Sequence, residues 1–131
     1  MTDPSSSRRS TLSRVRYLGS AHDGTHHFWV QRLTAVALIP LTIWFVISIV
    51  MLAGAPYEEM TAWLAQPVPA ILMVLLIVAT FHHAQLGLQV VIEDYVHQQG
   101  MRVASLVLVK LGAAALGFAA VFAVLKIALG G

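Results

Sequence analysis

A histidine followed eleven positions later by an acid and a phenol, His83 with Asp94 and Tyr95, is the grouping in this chain best suited to chemistry. The three lie in TFHHAQLGLQVVIEDYVHQQG, Thr80 to Gly100, which starts inside an apolar run and ends in polar residues. On an α-helix each residue turns by about 100° and rises about 1.5 Å, so His83 and Asp94 fall within about 20° of one face, roughly 16 Å apart. Ionisable groups inside a membrane segment are functional candidates by default, because hydrocarbon penalises them. Gly87, one turn beyond His83, removes the side chain that would block a flat ligand there.

His83 has two readings. It can be a polar residue hydrogen-bonded to a neighbouring helix, as is common in membrane bundles. It can also be an axial ligand of haem iron, a role neutral imidazole performs well, and the room left by Gly87 favours this second reading. His82 is rotated about 100° away and reads as a packing residue. His22, His26, His27 and His97 lie at or beyond the border of the apolar runs, too shallow to face His83 across one iron. A second ligand would have to come from another subunit.

Asp94 and Tyr95 read plainly as a solvated helix end with an interfacial tyrosine. Below a haem ligand they acquire another use. A quinone needs a hydrogen-bond donor at its carbonyl and a proton route from water, which Tyr and Asp can supply. Arg32 and His26 are ordinary border residues, or else cations at the depth where haem propionates would emerge. Glu58 and Glu59 read as a solvated loop.

The elements that must position these groups follow from composition. Of the 131 residues, 58% are hydrophobic and 11% charged, with mean hydropathy +0.78. A soluble domain has about a quarter of its residues charged. The chain is therefore expected to be an all-α membrane protein, one small bundle without a second domain. It has no Cys, which excludes disulfides, thiolate catalysis and a Cys-ligated cluster of its own.

Residues 1–23 are expected to be a mobile cytoplasmic tail, rich in Ser and Arg, with residues 24–131 as the membrane domain. Ala53-Gly54-Ala55 resembles a signal cleavage site, but the basic region before it exceeds thirty residues and the apolar run is too long, so cleavage is rejected. Spans are expected at about 33–53, 68–92 and 103–129, each near the 20 residues that cross a bilayer. Pro40 should kink the first. Residues 54–67 and 93–102 are the expected connectors, and Gly112 and Gly117 would allow close helix contact in the third span. Arg8, Arg9, Arg14, Arg16, Arg32 and Arg102 flank one side, while the first connector holds no Lys or Arg. The positive-inside rule then puts the N-terminus in the cytoplasm and the C-terminus opposite, with Lys126 mildly opposing and Lys110 and Lys126 able to snorkel.

Together, G-x-H-x-F-x₃-R at Gly24 to Arg32 and H-x₁₀-D-Y at His83 to Tyr95 resemble the smaller, D-type hydrophobic membrane-anchor subunit of succinate dehydrogenase, respiratory complex II. The resemblance covers about residues 24–102, and HFWVQRLTAVALIPL has a bacterial, alphaproteobacterial cast. It implies that His83 is one axial ligand of a haem b shared with a larger cytochrome b-type anchor subunit. It implies further that Tyr95, beside Asp94, meets ubiquinone, and that His26 and Arg32 lie near the propionates. The flavin, the succinate site and the iron–sulfur clusters would belong to a flavoprotein subunit and an iron–sulfur subunit. The chain would then be a subunit of succinate:quinone oxidoreductase, not catalytic alone, sited in a bacterial cytoplasmic membrane among lipid and with no nucleic acid partner. The alternative is a structural or proton-relaying subunit of another small membrane complex without haem.

Overall fold

In lipid no water satisfies the backbone, so a spanning segment closes its hydrogen bonds within itself as a helix. The computed structural model describes residues 19–130, those before residue 24 in backbone only. The helices are α1 (Gly19–Met51), α2 (Tyr57–Leu64), α3 (Pro67–Tyr95) and α4 (Gln99–Ala128), and no strand occurs among the described residues. Three of them, α1, α3 and α4, are long and apolar enough to cross a membrane. This is the expected all-helical, three-span architecture.

The helix ends differ from the expected spans. α1 begins at Gly19, well before the apolar run at residue 33, so residues 19–23 of the expected tail are helical while the rest of the tail lies outside the described residues. The 93–102 connector shrinks to Val96, His97 and Gln98, since α3 runs to Tyr95 and α4 starts at Gln99. The cause is the same at both places. Hydropathy marks where side chains are apolar, whereas an i→i−4 ladder continues past the hydrocarbon wherever nothing breaks it. Asp94 and Tyr95 are therefore the last turn of α3, the helix end their spacing from His83 calls for. Arg102 Nε donates to the Val96 carbonyl at 3.0 Å, closing the turn between α3 and α4.

The 54–67 connector also contains more structure than expected. Gly54 takes φ +83°, a left-handed conformation open to glycine, and reverses the chain after α1. α2 then starts behind Pro56 with Glu58 and Glu59 in its first turn, where acids favour the helix dipole. Its Trp63 stacks on Trp44 of α1 at 5.8 Å between ring centroids, 22° apart. Pro67 occupies the first turn of α3, where a missing N–H does no harm. α1 passes through Pro40 as one continuous helix.

α3 is the middle member, packed against α1 on one side and α4 on the other. Pro69, Ala70, Ala79 and Leu86 of α3 and Val124 of α4 are the buried apolar residues among those described, with Ser48 the buried polar one. Large side chains such as Val36, Ile39, Leu108 and Phe118 point outward. Lipid tails are as apolar as leucine, so such a bundle closes by close packing and polar links rather than by hiding apolar surface.

A candidate cleft between the first and second spans

His83 reaches toward α1. Its Nδ1 lies 3.1 Å from Oγ1 of Thr34, a contact between residues 49 apart in the chain. The Thr34 hydroxyl also sits 2.9 Å from the Val30 carbonyl and 3.0 Å from that of Gln31, the backward bonding open to Thr in a helix. Beside this contact opens a cleft of about 430 Å³ lined by Phe28, Gln31, Arg32, Ala35, Val36 and His83. The α1 members recur at helical spacing, so one face of α1 forms one wall. The Arg32 guanidinium lies 4.6 Å from the centroid of the Phe28 ring, a cation–π contact that holds it at the cleft mouth.

His82 looks elsewhere. It is exposed and lines a separate groove of about 350 Å³ between α3 and α4, with Phe81, Gln85, Gly117 and Phe118 among its neighbours. The 100° between adjacent residues has become a difference of partner helix.

Of the residues singled out by sequence, the fold thus brings His83 and Arg32 together. His26 is exposed and is not among the residues lining their cleft. Asp94 and Tyr95 sit at the end of α3, Tyr95 78% exposed, with no side-chain partner among the described residues. Phe28 and Gln31 as cleft lining, and Thr34 above all, were not apparent from sequence as members of a site. The one available signal was a hydroxyl two residues inside the border arginine of an otherwise apolar run.

Can these residues hold a haem? Among the described residues no three His, Cys, Asp or Glu side chains converge on one point, so a bare ion would find no ligand set. A lone imidazole suffices where a macrocycle brings its own nitrogens. Gly87 fits the same picture. A Cβ built there would meet nothing within 4 Å, so no packing among the described residues calls for the glycine. Gly112 likewise faces open space, whereas a Cβ on Gly117 would stand 3.6 Å from the Phe81 ring. Close helix contact therefore belongs to Gly117 within this chain and not to Gly112. The donor set, the cation at the mouth and the open flank at Gly87 fit a flat anionic macrocycle.

An all-helical arrangement of three spans with its large apolar side chains outward belongs to the class of multi-pass helical membrane proteins. The family described as succinate dehydrogenase/fumarate reductase transmembrane subunit matches residues 6–125. The succinate dehydrogenase hydrophobic membrane anchor subunit of Paracoccus denitrificans is 35% identical over 113 residues, 86% of this chain and 87% of that one. Its namesake in Rickettsia bellii (strain RML369-C) is 30% identical over 103 residues, covering 79% and 82%. The succinate dehydrogenase membrane anchor subunit of Reclinomonas americana is 26% identical over 90 residues, covering 66% and 75%. The chain belongs to the family of succinate dehydrogenase/fumarate reductase transmembrane subunits, and it is a multi-pass membrane protein.

Proposed function

We propose that this chain is a membrane anchor of a succinate:quinone oxidoreductase, that it contributes one axial ligand to a haem b shared with a larger anchor subunit, and that its α3 terminus forms part of the quinone site. The observation that carries the reading is His83 and Arg32 lining one cleft between α1 and α3, with Gly87 one helical turn from His83. In this role His83 would ligate the iron, and Arg32 would pair with a propionate through charge-assisted hydrogen bonds. His26, being outside the cleft, would act on a propionate only from further along α1. Bound haem supplies a one-electron carrier between the partner subunits and the membrane.

At the end of α3, the Tyr95 phenol has no partner in this chain among the described residues and can donate to a quinone carbonyl. Asp94, exposed beside it, can take protons from water and pass them inward as the quinone is reduced. The electrons come from succinate through the flavoprotein and iron–sulfur subunits, so this chain binds and protonates but does not oxidise. Its N-terminus and the turn between α3 and α4 lie on the cytoplasmic side, where the arginines cluster and the hydrophilic subunits dock. The host is a bacterial cytoplasmic membrane.

The complex purified through a tag on this chain tests the reading. A b-type α-band after dithionite reduction, with flavoprotein, iron–sulfur and larger anchor subunits present, is the expected result. A fully assembled, haem-free complex would favour a purely structural or proton-relaying subunit instead.

A further inference from the structure

Thr34 has one hydroxyl proton and three groups around it: two carbonyls of its own helix, at 2.9 and 3.0 Å, and His83 Nδ1 at 3.1 Å. Carbonyl oxygens can only accept. With the proton committed to the α1 backbone, Oγ1 can meet the ring nitrogen only as an acceptor. His83 makes no other hydrogen bond among the described residues, so its tautomer follows from which partner holds the proton in this contact. The geometry points to Thr34 as a positioning residue: it accepts a hydrogen bond from His83 Nδ1–H, fixes the ring's rotation, and leaves the Nε2 lone pair free to bind a metal centre. The proposal rests on the haem reading above and adds to it the group in α1 that prepares the ligand in α3.

Two consequences separate this role from mere helix packing. A ligating histidine whose other nitrogen donates a hydrogen bond is the more basic ligand, and losing such a partner weakens metal binding about 10- to 100-fold. A more basic imidazole also favours the ferric state, so losing the bond should raise the haem midpoint potential. Packing alone predicts neither.

The test uses the whole complex carrying Thr34→Val, which keeps the shape and removes the oxygen, beside Thr34→Ser, which restores it. The expected result for Thr34→Val is weaker haem retention by about 10- to 100-fold, a shifted low-spin ferric haem signal in electron paramagnetic resonance, and a raised midpoint potential. Thr34→Ser should return all of these to the native values. If Thr34→Val does not assemble, Thr34→Ala, which introduces no new bulk, is read in the same way. A Val or Ala complex with native potential and native spectrum, or a Ser complex that behaves like the Val one, overturns the role of Thr34 while leaving the haem reading standing. A native complex without a b-type band overturns both.

Discussion

Two seams run along α3, and they are made differently. On the α4 side Phe81 lies against Gly117, with Ala113 and Ala114 lining the same groove, and no hydrogen bond between side chains joins the two helices among the described residues. On the α1 side a polar link, Thr34 to His83, joins the helices, and beside it the seam opens into the cleft that holds Arg32. Small residues let backbones approach, which suits a scaffold. A polar link with space beside it suits a site, since it fixes a direction without filling the volume. On the proposed haem reading, the contrast leaves α4 to hold α3 in place and α1 to build the site with it.

The sharpest way to break this contrast is at the adjacent histidines. His83→Leu should abolish or strongly shift the reduced b-type band of the assembled complex, while His82→Leu, on the α4 side, should leave it near native. An absorption spectrum of each variant decides, and the reverse order would exchange the roles of the two seams.

Tyr95→Phe comes next, because it touches the end of α3 without touching either seam. The ring stays and one hydrogen bond goes, a loss of about 1–3 kcal/mol when the partner is left unpaired. At about 1.36 kcal/mol per factor of ten, quinone reduction should fall roughly 5- to 150-fold if the bond acts in the transition state. Succinate oxidation by an artificial dye that takes electrons upstream should stay near normal. Unchanged quinone reduction removes Tyr95 from the site, and a joint fall of both activities points to a damaged complex.

A third test loads the scaffold seam. Gly117→Leu drives a branched side chain into Phe81, and over-packing of this kind costs about 1–3 kcal/mol. Gly117→Ala should be neutral or stabilising, since its Cβ meets the ring at an ordinary 3.6 Å and alanine favours a helix over glycine by about 1 kcal/mol. Thermal stability of the complex should separate the two variants while the haem spectrum of the survivors stays native. A spectral change in Gly117→Ala would mean that the two seams are coupled.

The smallest effect is expected at Ser48, buried and donating to the Trp44 carbonyl at 2.8 Å. This is backward bonding within one helix, so Ser48→Ala should change stability by no more than about 1 kcal/mol. A larger loss on thermal unfolding would show that the hydroxyl binds a partner helix as well.

Much of this molecule is legible in its residues alone. Runs of apolar residues too long for a soluble core dictate spanning helices, because the bilayer leaves the backbone no other way to satisfy itself. The single deep histidine pair, the border arginine at residue 32 and the acid–phenol ending of α3 are all local features, and their spacing along a helix is set by its pitch. Helix ends are less legible, since the ladder of α1 starts at Gly19 and that of α3 persists through Asp94 and Tyr95, beyond the hydrophobic boundary.

What pitch does not determine is which face meets which neighbour. A helix apolar all round can rotate about its axis without violating its own pattern, so nothing local to His82 and His83 says which of them turns to α1. Packing decides that: Phe81 seated on Gly117 fixes the rotation of α3 on one side, and Thr34 receives His83 on the other. The same holds for Trp63 on Trp44, where a short helix in an expected loop meets a ring from another segment. Residue order settles the kinds of groups present and their depth in the membrane. Their company is settled only in the folded bundle, because contacts between residues 49 apart depend on how whole helices come to rest against each other.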